Sequence, residues 1–484
     1  MAKILILGAG VSGNTAAMYS KSIAKKNDQV IVVSPNSKWN WIPSNIWVGV
    51  GVMKGEDVTF PLEPIYKSKG IEFHQAKAIS IHPEGDSNSQ LAYVIIEYTS
   101  PDKKGQKGKI TYDYLINATG PRLNFGATEG LGPEKNSLSV CTAEHAENAA
   151  KQLNESIQKM KKGEKQNFLI GTGHGTCTCQ GAAFEYIFNV EYILRKEKVR
   201  DKANITWISN EYELGDYGMG GMHIKRGGYV THSKVFTESL YAERGVNWIK
   251  RAHVQSVEKH KTNFETLDGT EKSVNHDFAM LLPPFTGVPM QAFDKQGKDI
   301  SSILFAANGM MKVDANYTAK PYEEWKASDW PSTYQSPAYE NIFAIGIAFA
   351  PPHPISKQMF SPKGTPIYPT PPRTGMPSGV MGREVAYSVR DMIDGSKSPT
   401  HSASMAKMGA ACIASAGAGF FNGTAAAMTI YPIVPDFDVY KEYGRDIDLT
   451  FGEIGLAGHW IKYILHHVFL YKAKGLPFWK LIPE

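Results

Sequence analysis

The stretch from Lys3 to Lys25 constrains the fold more than any other part of the chain. Lys3-Ile-Leu-Ile-Leu7 is a short apolar strand that runs directly into Gly8-Ala-Gly10-Val-Ser12-Gly13, and a helical pattern follows from Asn14 to Lys25. Strand, glycine loop and helix in that order are the fingerprint of a dinucleotide-binding unit. Gly8 permits the tight turn, Gly10 lets a pyrophosphate approach the backbone, and Gly13 lets the helix pack closely on the strand. The helix N-terminus supplies unpaired amides and a favourable dipole for the phosphates. A second strand, Gln29 to Val33, follows at the expected distance, and Ser34 stands where an acidic residue ordinarily holds the ribose. A serine hydroxyl can make the same hydrogen bond.

The pattern recurs. Asn167-Phe-Leu-Ile-Gly171 is another strand entering a glycine turn, with a helix from Ala182 to Lys196. Its loop reads Gly171-Thr-Gly173-His-Gly175-Thr-Cys177-Thr-Cys179-Gln-Gly181, so Thr176 occupies the place of the third glycine and two thiols stand at the helix start. A helix N-terminus lowers a thiol pKa, which favours thiolate at Cys177 and Cys179; buried, inert cysteine is the competing reading for Cys177. The expected fold is α/β with two Rossmann-like dinucleotide-binding domains. The first spans 1–125 and 330–385, the second 126–329, and a C-terminal segment covers 386–484.

Composition narrows the function. A formal charge of +5 on 484 residues, with scattered lysines and arginines, gives no groove for nucleic acid. Four cysteines, Cys141, Cys177, Cys179 and Cys412, are too few for a disulfide-stapled fold and point to catalysis or burial. The first strand begins so near Met1 that no cleavable signal peptide is expected. No run approaches the roughly 20 apolar residues of a membrane-spanning helix. His174 and His353 lack a second ligand at metal spacing, and no metal site is expected. From Gly455 to Glu484, Leu456, Trp460, Ile461, Tyr463, Ile464, Val468, Phe469 and Leu470 alternate with histidines and lysines. This reads as an amphipathic helix that docks in a lipid interface, or as an ordinary helix on the core. If it docks on membranes, removing everything after Asp448 should release the protein from them and leave the cofactor unit intact.

Three cysteine contexts carry a resemblance. Cys179-Gln-Gly-Ala-Ala-Phe-Glu185 resembles a segment of the sulfide:quinone oxidoreductases, Ser139-Val-Cys141-Thr-Ala-Glu-His145 resembles their first-cysteine segment and Gly409-Ala-Ala-Cys412-Ile-Ala-Ser-Ala-Gly417 the one carrying their last redox cysteine, in the right order along the chain. The Cys179 segment also resembles the flavoprotein of flavocytochrome c sulfide dehydrogenase. Tyr112-Asp-Tyr-Leu-Ile-Asn-Ala-Thr119-Gly120 and Asn341-Ile-Phe-Ala-Ile-Gly346 resemble the strands that close on the flavin in proteins with two dinucleotide-binding domains. The resemblance implies FAD over NAD, held by the glycine loop with Ser12, Ser34, Pro43, Ala78, Thr119, Gly120, Gly346 and Arg373. It implies a redox pair of Cys179 and Cys412, with Cys141 nearby and Glu185 and His145 as proton carriers, His145 through its ordinary pKa near neutrality. Sulfide is the implied substrate, a membrane quinone the acceptor, and Phe420, Phe451, Trp460 and Tyr463 the quinone-site residues. Peripheral association with a lipid membrane surface and a homo-oligomer go with it. Two positions depart from the family pattern: Asp216 stands for a histidine, and Arg373 for a lysine.

Competing functions remain at this point. A cytochrome-linked sulfide dehydrogenase flavoprotein, a type II NADH dehydrogenase and a non-catalytic FAD-binding interaction protein share parts of the pattern. The degraded second glycine loop argues against NADH.

Overall fold

The computed structural model describes residues 1–178, 180–372, 375–417 and 420–484. Its largest sheet is built around the strand Lys3–Leu7, which pairs in parallel with Gln29–Ser34 on one side and Tyr114–Asn117 on the other. Ile342–Ala344 extends it beyond Tyr114–Asn117, and Glu72–His82 beyond Gln29–Ser34, again in parallel. Lys3–Leu7 and Gln29–Ser34 are nearly continuous apolar runs because the centre of a parallel sheet is covered on both faces, whereas Glu72–His82, farther out, alternates with polar residues. The helix Val11–Ile23 covers one of them and packs along the helix Gly375–Ile393. Residues 375–393 are thereby brought beside the first glycine loop.

A second parallel sheet has the order Val246–Ile249, Ala203–Ile208, Gln166–Thr172, Phe278–Leu282. The helix Gln180–Lys196 packs on it, and a three-stranded meander over Ala252–Asn275 lies alongside.

The third sheet draws on distant parts of the chain. The antiparallel strands Ala410–Ala416, Thr424–Ile430 and Phe451–Gly455 are joined, through Lys225 opposite Phe451, by the hairpin His223–His232. The helix Leu456–Ala473 rests on the first two of these strands, and Gln180–Lys196 packs on Ala410–Ala416 as well. No helix among the described residues is long and apolar enough to cross a membrane.

The last helix is amphipathic with its faces reversed. It buries His459, Lys462, His466 and Lys472, and it exposes Ile461 at 49% and Ile464 at 52%. A core-facing helix ordinarily does the opposite.

Candidate active site

The glycine loop has the geometry of a pyrophosphate cradle. Gly8 has φ +97°, and a Cβ there would lie 2.2 Å from the Ala118 carbonyl oxygen; a Cβ on Gly13 would lie 2.1 Å from the Gly8 oxygen. Both positions are closed by backbone, so the turn and the close helix approach each demand glycine. Around Gly10 nothing lies within 4 Å of an added Cβ, and the residue is exposed at the start of the helix. Open space beside unpaired helix amides suits a phosphate group. Gly346 meets the same loop, since its added Cβ would sit 2.5 Å from Ser12 Oγ. Ser34 is buried at its strand end, and Thr119 Oγ1 donates to Asn117 Oδ1 at 2.8 Å. Gly120 faces open space, Pro43 lies in the short turn Ile42–Ser44, and Ala78 is buried at a register shift in its strand. The donors and the open space fit a dinucleotide cofactor. Arg373 lies outside the described residues.

Cys179 also lies outside them, and its neighbours define the site. A Cβ built on Gly181 would be 3.0 Å from Cys412 Sγ, so the Cys412 sulfur rests on the first turn of the helix Gln180–Lys196. Cys412 is half-buried, opposite Met428 in its hairpin. Cys177 is buried, and its thiol donates to the Leu282 carbonyl at 3.0 Å. That thiol serves to hold the loop on the end of the second sheet. Cys141 is half-buried in a segment packed on the helix Asn45–Val48, where Asn45 Nδ2 donates to the Val140 carbonyl at 3.3 Å.

Glu185 is buried one turn further along the helix that starts at Gln180. It accepts from the Ser415 amide at 3.2 Å and from Lys462 Nζ at 2.8 Å. Burial pushes its carboxyl above the usual carboxylate range, with Lys462 opposing. Ser415, three residues past Cys412, also bonds His459 Nδ1 through its hydroxyl at 2.6 Å, and its carbonyl accepts from Trp47 Nε1 at 3.2 Å. His466 completes the chain with Ser44 Oγ at 2.9 Å, next to Pro43. Sequence reasoning missed Lys462, His459 and Ser415 as parts of the site. The signal was there: polar residues at 459, 462 and 466 recur at helical spacing and so share one face of the helix.

Two expectations need correction. His145 does not keep an ordinary pKa, because burial lowers it; the ring packs edge-on against Phe125, and the residue's amide donates to the helix-capping Thr142 hydroxyl. Burial favours the ring's uncharged form. Phe451 does not join the other aromatic residues. It pairs with Thr429 while Gly455 pairs with Ala425, which puts it four residues, about 13 Å, down the hairpin from the turn carrying Phe420. Phe420 and Trp460 do meet, with rings stacked 5.4 Å apart and Trp460 Nε1 donating to the Phe420 carbonyl at 2.6 Å; Tyr463 follows one turn on against His467. The tail is built into the rest of the protein: its strand Phe451–Gly455 lies inside the third sheet, and the Ala473 carbonyl accepts from Asn14 Nδ2 at 3.0 Å.

Asp216 closes its own loop, accepting from the Gly218 amide at 2.9 Å and from the Ser356 hydroxyl. Trp41, unremarked in the sequence, stacks 4.8 Å from Phe469 of the last helix, near Val11 of the cradle helix.

No model of a known protein family matches the chain. Individual relatives do. It is 31% identical over 477 residues to a sulfide-quinone reductase of Aquifex aeolicus, covering 98% of this chain and 92% of that protein. A mitochondrial sulfide:quinone oxidoreductase of Dictyostelium discoideum is 23% identical over 346 residues, 71% of this chain and 64% of that one. Among solved structures, the sulfide:quinone oxidoreductase of the hyperthermophilic bacterium Aquifex aeolicus superposes with a TM-score of 0.76 at 28% identity, covering 98% and 92% of the two chains. The fold alone is shared with NDH2 of Plasmodium falciparum, at a TM-score of 0.62 and 14% identity over 98% and 96%.

Proposed function

Because the chain belongs to the sulfide-quinone reductase family, we propose that it oxidises sulfide at a Cys179–Cys412 pair, with FAD in the glycine cradle and a membrane quinone as final acceptor. The observation that carries the pair is the Cys412 sulfur on the turn at Gly181, two residues along the chain from Cys179.

Hydrosulfide attacks the bridge between the two cysteines. The S–S bond breaks, one cysteine keeps the incoming sulfur as a persulfide, and the other leaves as thiolate. Closing the bridge again releases two electrons, and the sulfur departs as polysulfide or elemental sulfur. FAD, when bound, accepts electron pairs from thiols and yields them to quinone. Glu185, with its raised carboxyl, is placed to hold a proton beside Ser415 on the Cys412 strand, and Lys462 opposes the charge left when the proton goes. Neutral His145 accepts a proton near Cys141. Phe420, Trp460 and Tyr463 offer rings to the quinone at the membrane side.

The reversed last helix supports docking at a lipid surface. With its polar stripe satisfied inside the protein, the helix exposes Ile461 and Ile464; Phe421, Phe478 and Leu481 are exposed as well, and Lys474 and Lys480 suit lipid headgroups.

Anaerobic mixing with sulfide, followed by flavin bleaching, tests the pair. Cys179→Ser and Cys412→Ser should each abolish bleaching, and the losses should not add. Cys177→Ser should retain most of it, because that thiol is engaged with the Leu282 carbonyl. Retention in Cys412→Ser with loss in Cys177→Ser would overturn the assignment.

A further inference from the structure

We propose that Asn210 is a positioning residue for the cysteine loop, acting with Gln180 as a clamp that keeps the Cys179 segment in register with Cys412. This rests on the reading of Cys179 and Cys412 as the redox pair.

Asn210 lies just past the strand Ala203–Ile208, at the carboxyl end of the second parallel sheet, and is fully buried. Its Nδ2 shares its two hydrogens among the carbonyls of Gly175 at 3.0 Å, Cys177 at 3.1 Å and Tyr368 at 3.2 Å. Its Oδ1 accepts from Gln180 Nε2 at 2.8 Å, and the same Nε2 reaches the Cys177 carbonyl at 3.1 Å. Both amide orientations are thereby settled: flipping either would aim an oxygen at carbonyl oxygens. One side chain thus holds both sides of the loop, at 175–177 and at 180, and Gln180 adjoins Cys179 in the chain. It also ties that loop to Tyr368, where the Tyr368 and Thr370 amides donate to the Gly175 and Cys177 carbonyls. Segment 368–370 leads directly into the Gly375–Ile393 helix beside the cradle.

Cys177 and Thr178 anchor the loop to the Leu282 and Pro371 carbonyls, and Asn210 with Gln180 adds the link that spans its two sides. The two thiols must meet within a disulfide span, with Cα atoms about 4.4–6.8 Å apart. A shift near 1 Å is enough to cost about a hundredfold in rate.

The test compares the two half-reactions in holoenzyme bearing Asn210→Ala or Gln180→Met. Flavin reduction by sulfide should slow about ten- to a hundredfold, while reoxidation of reduced flavin by decylubiquinone, FAD content and thermal midpoint stay near wild type. The Cys179–Cys412 cross-linked peptide seen by mass spectrometry after oxidation should fall in step. Unchanged sulfide reduction, or equal losses in both half-reactions with lost FAD, would overturn the clamp. If Cys179→Ser or Cys412→Ser alone leaves sulfide reduction intact, the pair reading fails instead, and the half-reaction split still reports on Asn210.

Discussion

Gly10 and Gly13 stand three residues apart, and substituting them should have different consequences. A side chain on Gly13 meets the Gly8 carbonyl and must displace backbone, whereas one on Gly10 meets only open space. Gly10→Val should therefore fold with a near-native circular dichroism spectrum and lose FAD, while Gly13→Val should lose both; FAD retained by Gly10→Val would show that the cradle does not hold the pyrophosphate. Glu211 invites a second test. It is buried, accepts from the Tyr217 amide at 2.9 Å and the Ser209 hydroxyl at 2.8 Å, and burial pushes its carboxyl from 4.5 up to about 7. The folded state therefore binds this proton more tightly than the unfolded chain. Its stabilisation is complete below the unfolded pKa and is lost as pH rises through the folded one. Between about pH 5 and 7 wild-type stability should fall relative to Glu211→Gln, by a total on the order of 3 kcal/mol, as urea midpoints across that window would show; parallel pH curves would exclude it. Such residues divide by legibility. Gly8, Gly10 and Gly13 were readable because local sterics and a fixed motif dictate them. Asn210 and Glu211 were not, because their roles depend on which strand end meets which loop.

The last helix shows the same limit at the level of an element. Its existence was legible from a long run without proline between Gly455 and Gly475. The face it buries was not, because periodicity reports an apolar stripe without saying what that stripe meets. Here the buried side is polar because Glu185, Ser415 and Ser44 supply its partners from three other elements. Lys462 and Glu185 are each nearly enclosed, with side chains 10% and 7% exposed. Removing one member of such a pair strands the other's charge, so Lys462→Met should cost about 3–5 kcal/mol in chemical denaturation. Glu185→Gln combined with Lys462→Met should recover most of that loss, because neither charge is then left alone. Additive losses would mean the two side chains do not depend on each other. The strands Lys3–Leu7, Gln29–Ser34 and Gln166–Thr172 were legible throughout, since fully covered parallel strands must be apolar along their length.

At the scale of the whole molecule, the apolar outer surface of the tail is the feature to probe with lipid. Ile461→Glu together with Ile464→Glu leaves the buried stripe untouched and should reduce co-sedimentation with phospholipid vesicles at least severalfold, with sulfide-driven flavin bleaching retained. Undiminished sedimentation would assign docking to another surface. The two Rossmann-like sheets were foreseeable from two strand, glycine and helix runs. The third sheet was not, because it joins a hairpin at 223–232 to strands beyond residue 409, and pairing over such distances leaves no local mark. The bond from Asn14 to Ala473, between residues 459 positions apart, carries a consequence for biosynthesis. Synthesis runs from Asn14 towards Ala473, so the helix Val11–Ile23 emerges 459 residues before this partner and waits with that flank uncovered.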